Sequence, residues 1–178
     1  LLALDAEVET ASVRGLRRLP LARFITGNRR TALTSDEIVT ALIVPRAAGS
    51  GHFLKLGPRR YLVISIVMAS GVIEAGADGT IARARIAVGA CSAVAQRLPA
   101  LEAALTGKPA AADLSGIVTA AHLASLAPIG DVRASADYRR AAAVTLVRDL
   151  VREMGRPSTR HTSAGPSSSG PSSTGKAA

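Results

Sequence analysis

Residues 53–74 read FLKLGPRRYLVISIVMASGVIE, and this segment decides the fold of the chain. Alternating residues lead to a turn at Gly57-Pro58, two arginines follow, and an apolar run extends from Leu62 to Met68. The pattern predicts a strand from His52 to Leu56 that pairs with a buried strand from Leu62 to Glu74. A lysine and two arginines at the mouth of a buried strand favour an anionic, planar ligand, because such a ligand needs fixed positive charge.

The rest of the C-terminal half predicts one more strand and then helices. Gly76-Ala77-Asp78-Gly79 is a hairpin signal, and the strand Thr80 to Gly89 after it has Arg83 and Arg85 on one face. Caps and apolar spacing predict three helices, at Pro99 to Thr106, Leu114 to Leu126 and Ser135 to Gly155. Strands followed by helices indicate an α+β fold, with a three-stranded antiparallel sheet, one solvated side and helices packed on one face.

The N-terminal residues predict a separate unit. Alternation from Leu1 to Thr10 predicts a strand with one wet face, and the β-branched run Ile38 to Val44 predicts a buried strand. The end of the chain is rich in Ser, Pro and Gly, and it has too few large apolar residues to offset the entropy of ordering. We therefore expect three parts: a unit at residues 1–45, a domain at 51–155 and a disordered tail at 156–178.

Charge and composition raise the question of nucleic-acid binding. The chain carries a formal charge of +9, and 19 of its 22 basic residues are arginine. The charge is spread along the sequence, however, and aromatic residues, which stack on single-stranded bases, make up only 2%. A solvated basic surface is therefore the preferred interpretation, and no nucleic-acid partner is expected.

The sequence contains no self-sufficient active site. His52, His122 and His161 have neither metal-ligand nor triad spacing, and the single cysteine, Cys91, lies in an apolar context typical of a buried residue. We expect no metal site and no catalytic residue. No signal peptide or membrane span is recognisable, so a cytoplasmic location is expected, and the start on Leu1 within a strand pattern suggests a fragment. Lys55, in a strand directly before the Gly57-Pro58 turn, is a candidate for a ligand contact, and a solvated strand lysine is the ordinary alternative.

Several segments in order resemble the FAD-binding medium subunit of the xanthine dehydrogenase and carbon monoxide dehydrogenase family, whose members are molybdenum hydroxylases. The resemblance covers residues 1 to about 154. The segments that carry it are LPLARFITGNRRTALTSDEIVTALIVP, FLKLGPRRYLVISIVMASGVI, ARIAVGACSAVAQRLPALEAALTG and DVRASADYRRAAAVTLVRDLV.

The resemblance implies an oxidoreductase subunit that relays electrons through FAD. Residues 1–45 would be the end of an FAD-binding α+β domain, and residues 51–155 the C-terminal α+β domain. Lys55 matches the basic residue that reaches the flavin, and Val39 matches an apolar residue whose backbone faces the ring system. Implied partners are a molybdenum-cofactor subunit and an iron–sulfur subunit, which would carry the molybdopterin and the iron–sulfur clusters.

The resemblance also implies a missing part. Two glycine-rich loops and an aspartate hold the FAD pyrophosphate in the N-terminal half of the family's subunit, and this sequence contains none of them. We therefore expect the chain alone to bind FAD weakly or not at all. The alternative function is a non-catalytic α+β interaction module left by truncation.

Overall fold

The chain forms three antiparallel sheets in a computed structural model that describes residues 1–46 and 49–156. The first sheet has the strand order β2-β1-β5, the second pairs β3 with β4, and the third has the order β6-β7-β8-β9. The strands are β1 (Glu7–Ser12), β2 (Gly15–Pro20), β3 (Ile25–Gly27), β4 (Arg30–Thr31), β5 (Ile38–Ile43), β6 (Ser50–Leu56), β7 (Val67–Ala75), β8 (Ile81–Gly89) and β9 (Gln96–Arg97).

Three α-helices accompany these strands in the described part of the chain. They are α1 (Leu21–Phe24), α2 (Pro99–Leu105) and α3 (Ala136–Met154). The Ser135 side chain accepts a hydrogen bond from the Tyr138 backbone N–H and so caps α3, as the sequence predicts. The α+β fold class is therefore confirmed, although the two-residue strand β9 makes the main sheet four-stranded rather than three-stranded.

The four-stranded sheet buries a hydrophobic core against the helices. Residues that pair across neighbouring strands share a face, and Leu54, Ala69 and Val88 mark the face that meets the helices. We call it the helical face: α3 packs on β6 and β7, and α2 packs on β8. The core is aliphatic, as the scarcity of aromatic residues requires, with Ile86, Leu101 and other side chains fully buried.

The opposite face of the sheet is partly covered by the N-terminal segment, and we call it the N-terminal face. On this face Lys55 pairs with Met68, Phe53 with Ser70, and Arg85 with Val72. A 3₁₀ turn at Leu2–Leu4 packs against β7, β8 and β9 on this side. The expectation of one solvated side is therefore wrong at Arg85, which is buried there and pairs with the carboxylates of Glu74 and Asp5.

The apolar run Leu62 to Met68 does not form one buried strand. β7 begins only at Val67, and residues 57–66 form a connecting segment in which Leu62 is 93% exposed with φ of 49°. The prediction of a strand from Leu62 was wrong because an apolar run alone does not distinguish a strand from an apolar loop.

The strand predicted at Ile38 to Val44 exists as β5, but it is not buried. β5 lies at the edge of its sheet with β1 as its only neighbour there, and Ile38 is 68% exposed. An edge strand with apolar residues on both faces needs a cover on each face, and the described residues leave much of this strand uncovered.

The helix predicted from Leu114 to Leu126 is replaced by two 3₁₀ turns, Ser115–Ile117 and Ala120–Leu123. Val118 between them is extended, and Thr119 and His122 then form a capping box that begins the second turn. Local side-chain bonds therefore compete with a continuous helix at this point.

Residues 157–178, which make up all but the first residue of the predicted tail, lie outside the described part of the chain. Within residues 1–46 and 49–156, no helix is long and apolar enough to cross a membrane.

A substitution at Gly49 tests the close packing of the backbone before β6 against β7. Gly49 and Gly15 have nearly the same backbone φ, 114° and 119°, but an added Cβ at Gly49 would lie 2.0 Å from the Ile73 carbonyl oxygen. We expect Gly15→Ala to cost about 1–3 kcal/mol from backbone strain alone. Gly49→Ala should lower the free energy of unfolding clearly more, as measured by urea denaturation. Equal losses for the two variants would contradict this packing.

Candidate functional site

Lys55 lies near the end of β6, on the N-terminal face of the four-stranded sheet. Its Nζ donates a hydrogen bond to the Val63 carbonyl oxygen at 2.6 Å, so the lysine reaches across the segment that follows Gly57. The Arg59 guanidinium holds the same segment by donating to the Leu62 carbonyl oxygen at 2.7 Å. Lys55 remains exposed, and an ammonium group has three donors, so it retains donors for an anionic ligand.

Val39 lies in β5, the edge strand of the three-stranded sheet, and 46% of it is exposed. The turn before this strand is held by Glu37, which accepts hydrogen bonds from the Thr34 N–H at 2.9 Å and from Arg17 Nε at 2.8 Å. Thr10 Oγ1 also donates to this carboxylate at 3.2 Å, and Thr10 pairs with Val39 across the strands. The position of Val39 therefore depends on one nearly buried carboxylate.

The two predicted contact residues lie in different sheets. Val39 belongs to the three-stranded sheet and Lys55 to the four-stranded sheet, and no hydrogen bond among the described residues joins them. The two sheets do meet, because the turn at Leu2–Leu4 leads into β1 and packs on the N-terminal face, where Lys55 also lies. Whether both residues contact one ligand therefore depends on how these two sheets are held together.

An apolar cavity of about 330 Å³ lies between the N-terminal segment and the N-terminal face. Leu2 and Leu21 line one side of it, and Phe53, Met68 and Ala87 line the other. Met68 pairs directly with Lys55, so this cavity and the lysine occupy adjacent positions on the sheet. Sequence reasoning missed Phe53, although it lies two residues before Lys55 and strand alternation would have placed both on one face.

The surroundings of Glu37 lower its pKa strongly. The Arg17 guanidinium, followed by the Thr34 backbone N–H, lowers the pKa of Glu37 from 4.5 to about 2. A carboxylate that accepts several hydrogen bonds from cationic and backbone donors is stabilised in its charged form. Glu37 therefore has a structural role as an ionised pin of the turn before β5.

Asp5 was not singled out from the sequence, where it falls on the wet face of a predicted strand. In the structure it follows the 3₁₀ turn and contacts Arg83, Arg85 and Arg97. These partners are 78, 80 and 92 residues away in the chain, so no local signal indicates the contact.

The described residues bring together no group of three or more His, Cys, Asp and Glu side chains that would hold a metal ion. Cys91 is fully buried, and burial raises the pKa of its thiol, so it is an inert packing residue rather than a nucleophile. The candidate contact residues therefore remain the two predicted ones, Val39 in β5 and Lys55 near the end of β6.

Two features of the described residues are of the kind that the ring end of FAD needs. β5 offers an exposed apolar strand edge at Val39, and Lys55 offers a positive charge with free donors; apolar surface and positive charge each suit a flat ring system that gains negative charge on reduction. The pyrophosphate has no comparable partner, because the sequence lacks a glycine-rich phosphate loop.

The variant Glu37→Gln tests whether ionised Glu37 stabilises the turn before β5, through the pH dependence of the free energy of unfolding. The pKa of Glu37 is lowered on folding, so its ionised form stabilises the fold above about pH 4.5, and this contribution is lost as pH falls toward 2. We expect the variant to be less stable than the parent at pH 7 and to lose less stability on acidification. Circular dichroism during urea unfolding from pH 7 to pH 2 measures both.

Asp36→Asn is the matched control, because Asp36 and its partner Arg14 are both well exposed and solvent screens their attraction. It should change the pH profile much less. A profile for Glu37→Gln that is parallel to that of the parent would contradict the assignment.

Two family models match this chain in succession. The model described as FAD binding domain in molybdopterin dehydrogenase matches residues 1–47, and the model described as CO dehydrogenase flavoprotein C-terminal domain matches residues 52–154. Among curated proteins, the nicotine 6-hydroxylase medium subunit of Paenarthrobacter nicotinovorans is 32% identical over 159 residues, which are 87% of this chain and 54% of that protein. The nicotinate dehydrogenase FAD-subunit of Eubacterium barkeri is 43% identical over 81 residues, 41% of this chain and 27% of that protein.

Solved structures share the fold. Quinoline 2-oxidoreductase from Pseudomonas putida 86 superposes with a TM-score of 0.77 at 23% identity, over 86% of this chain and 53% of that one. The chain thus spans about half the length of the proteins that it resembles over most of its own length. The successive matches of the two models lead to one conclusion: this chain belongs to the CO dehydrogenase flavoprotein family of FAD-binding molybdopterin dehydrogenase subunits.

Proposed function

We propose that this chain forms one wall of a flavin site in the FAD-binding subunit of a molybdenum hydroxylase, an oxidoreductase. Bound FAD would supply the redox chemistry by accepting electrons and passing them on. The chain's own residues bind and orient the ring system and set the charge around it. The observation that carries the proposal is Lys55, an exposed cation held at the end of β6 in a chain whose family is named for FAD binding.

Lys55 would act through its charge. An ammonium group near a ring favours negative charge on that ring, and its two remaining donors make the interaction directional. The bond to the Val63 carbonyl oxygen limits the freedom of the side chain, so less entropy is lost when a ligand binds. The lysine would therefore be partly preorganised.

Val39 would act through shape. As part of an edge strand it presents an apolar side chain, and it also presents backbone groups that no other strand within residues 1–46 and 49–156 uses on that side of the sheet. A flat aromatic system gains from apolar contact, and its polar edge gains from backbone hydrogen bonds. Glu37 keeps this strand in place through the turn that precedes it.

The assembly around this wall is also part of the proposal. We propose the division into residues 1–45, the end of an FAD-binding domain, and residues 51–155, the C-terminal domain. We further propose partners of three kinds: a further FAD-binding part that holds the pyrophosphate, a molybdenum-cofactor subunit and an iron–sulfur subunit. The names of the relatives as a medium subunit and an FAD-subunit support an assembly of several subunits. A cytoplasmic location is proposed with them.

Purified alone, the chain should bind FAD weakly or not at all, because it lacks the phosphate loops that would contribute most of the anion binding. The measurement is the flavin absorbance that remains after reconstitution and gel filtration. A stoichiometric yellow complex would show that the chain holds FAD without those loops.

Lys55→Met in the complete subunit should reduce the FAD content or lower the flavin midpoint potential. Loss of one positive charge near the ring corresponds to roughly 1–2 kcal/mol, or about 20–40 mV for a two-electron couple. Lys108→Met is the control, since Lys108 is exposed in the turn after α2. Spectroelectrochemistry on both variants measures the midpoint potential and the flavin content. If both are unchanged in Lys55→Met, Lys55 does not belong to the flavin site.

A further inference from the structure

The Asp5 carboxylate accepts hydrogen bonds from three arginines of the four-stranded sheet. Its Oδ2 accepts from Arg83 Nη2 at 2.7 Å and from Arg85 Nη1 at 3.3 Å, and its Oδ1 accepts from Arg97 Nη1 at 2.7 Å. Asp5 lies between the 3₁₀ turn at Leu2–Leu4 and β1, two residues before the strand begins, whereas the arginines lie in β8 and β9. Both oxygens of one carboxylate therefore join the N-terminal segment to the main sheet.

The carboxylate of Asp5 completes the pairing of the arginines on the sheet. The Arg85 side chain is only 5% exposed, and besides Asp5 its one ionic partner among the described residues is Glu74. Arg97 binds Glu102 through Nε at 2.5 Å and Nη2 at 2.8 Å. Without Asp5, three guanidinium groups would face two carboxylates, and a buried guanidinium without full pairing is strongly unfavourable.

The backbone presents Asp5 in a defined orientation. Asp5 has φ of 50° and ψ of 40°, the left-handed conformation that Asp tolerates better than most residues, and its N–H donates to the Leu2 carbonyl oxygen. The next residue, Ala6, accepts a hydrogen bond from the Leu21 N–H at 2.8 Å. The carboxylate is thus connected rigidly to β1, the central strand of the three-stranded sheet, whose other neighbour is β5.

We propose that Asp5 is a positioning residue that fixes the orientation of the three-stranded sheet on the four-stranded sheet. It thereby sets the separation between Val39, in the first sheet, and Lys55, in the second. The orienting role stands on the ionic contacts alone, whereas its effect on a bound flavin rests on the proposed function.

The distance between two labels at exposed positions, one in each part of the chain, reports this orientation. Val13, between β1 and β2, is 99% exposed, and Val132, before α3, is 98% exposed, so cysteines there would accept spin labels without disturbing the core. Cys91 is fully buried and is replaced by Ala in the same background. Pulsed electron paramagnetic resonance then gives the distribution of distances between the two labels.

In this labelled chain, Asp5→Asn should broaden and shift the distance distribution, because the neutral amide leaves the arginines underpaired. Asp36→Asn, which removes a carboxylate paired within the three-stranded sheet and its turns, should leave the distribution unchanged. A variant Asp5→Asn that is folded and gives the parental distribution would overturn the positioning role and leave Asp5 as an ordinary ion pair.

A second variant keeps the test decisive if Asp5→Asn does not fold. Arg83→Gln removes only the most exposed of the three contacts and should produce a smaller change of the same kind. A parental distribution in folded Arg83→Gln, with Asp5→Asn unfolded, would likewise count against the proposal.

The flavin midpoint potential of the complete subunit tests the effect on the flavin separately from the orienting role. Asp5→Asn should shift this potential, whereas Asp36→Asn should leave it at the parental value. A changed label distance with a parental potential would support the orienting role and reject the shared Val39–Lys55 site. An unchanged distance would reject the orienting role whatever happens to the flavin.

Discussion

The main sheet of this protein is covered by helices on one face and in part by the N-terminal segment on the other, and the two covers are chemically different. The helices pack on their face mainly through aliphatic contacts, which are not directional. The N-terminal segment covers part of the other face, where the rows contain Arg83, Arg85 and Arg97. Only Arg85 is buried, and it pairs with Glu74 of the sheet as well as with Asp5, while Arg97 also binds Glu102. Asp5 adds the carboxylate that these arginines share with the N-terminal segment. The ionic contact therefore joins two parts of the chain that apolar packing alone would join less specifically.

Ionic pairing within the chain accounts for the abundance of arginine, and this explanation does not require a nucleic-acid partner. A guanidinium group has five donors in a plane and bridges several acceptors at once, which lysine does not do in the same way. Arg139, almost fully buried in α3, donates to the carbonyl oxygens of Ile66 and Ala90 and to the carboxylate of Asp131. The Arg133 backbone N–H and the Arg139 guanidinium keep the pKa of Asp131 well below its ordinary value. Much of the basic character of the chain thus serves internal pairing.

The features predicted correctly from the sequence are those that depend on interactions between residues close together in the chain. The hairpin at Gly76 to Gly79 and the Ser135 cap of α3 depend on a few neighbouring residues, and both form as expected. The extent of burial depends on distant parts, so the exposed segment before Val67 and the exposed strand β5 were not predicted. Lys55 was a candidate from its position before the Gly57-Pro58 turn and was strengthened by a family resemblance, whereas Val39 was identified only through that resemblance. Asp5 was missed because its partners are distant in sequence.

The placement of charge and apolar surface argues for a division of roles in cofactor binding. Phosphate groups need several fixed donors, and this chain offers no glycine-rich loop for them, so it would contribute little to the total affinity for FAD. In the proposed site, the cation at Lys55 and the apolar edge at Val39 would act instead on the ring, where a single charge changes the relative stability of oxidised and reduced states. Such tuning is sensitive to distance, since the interaction between charges varies with their separation. A rigid ionic joint at Asp5 would therefore matter more for the potential of the flavin than for its retention by the phosphate-binding part.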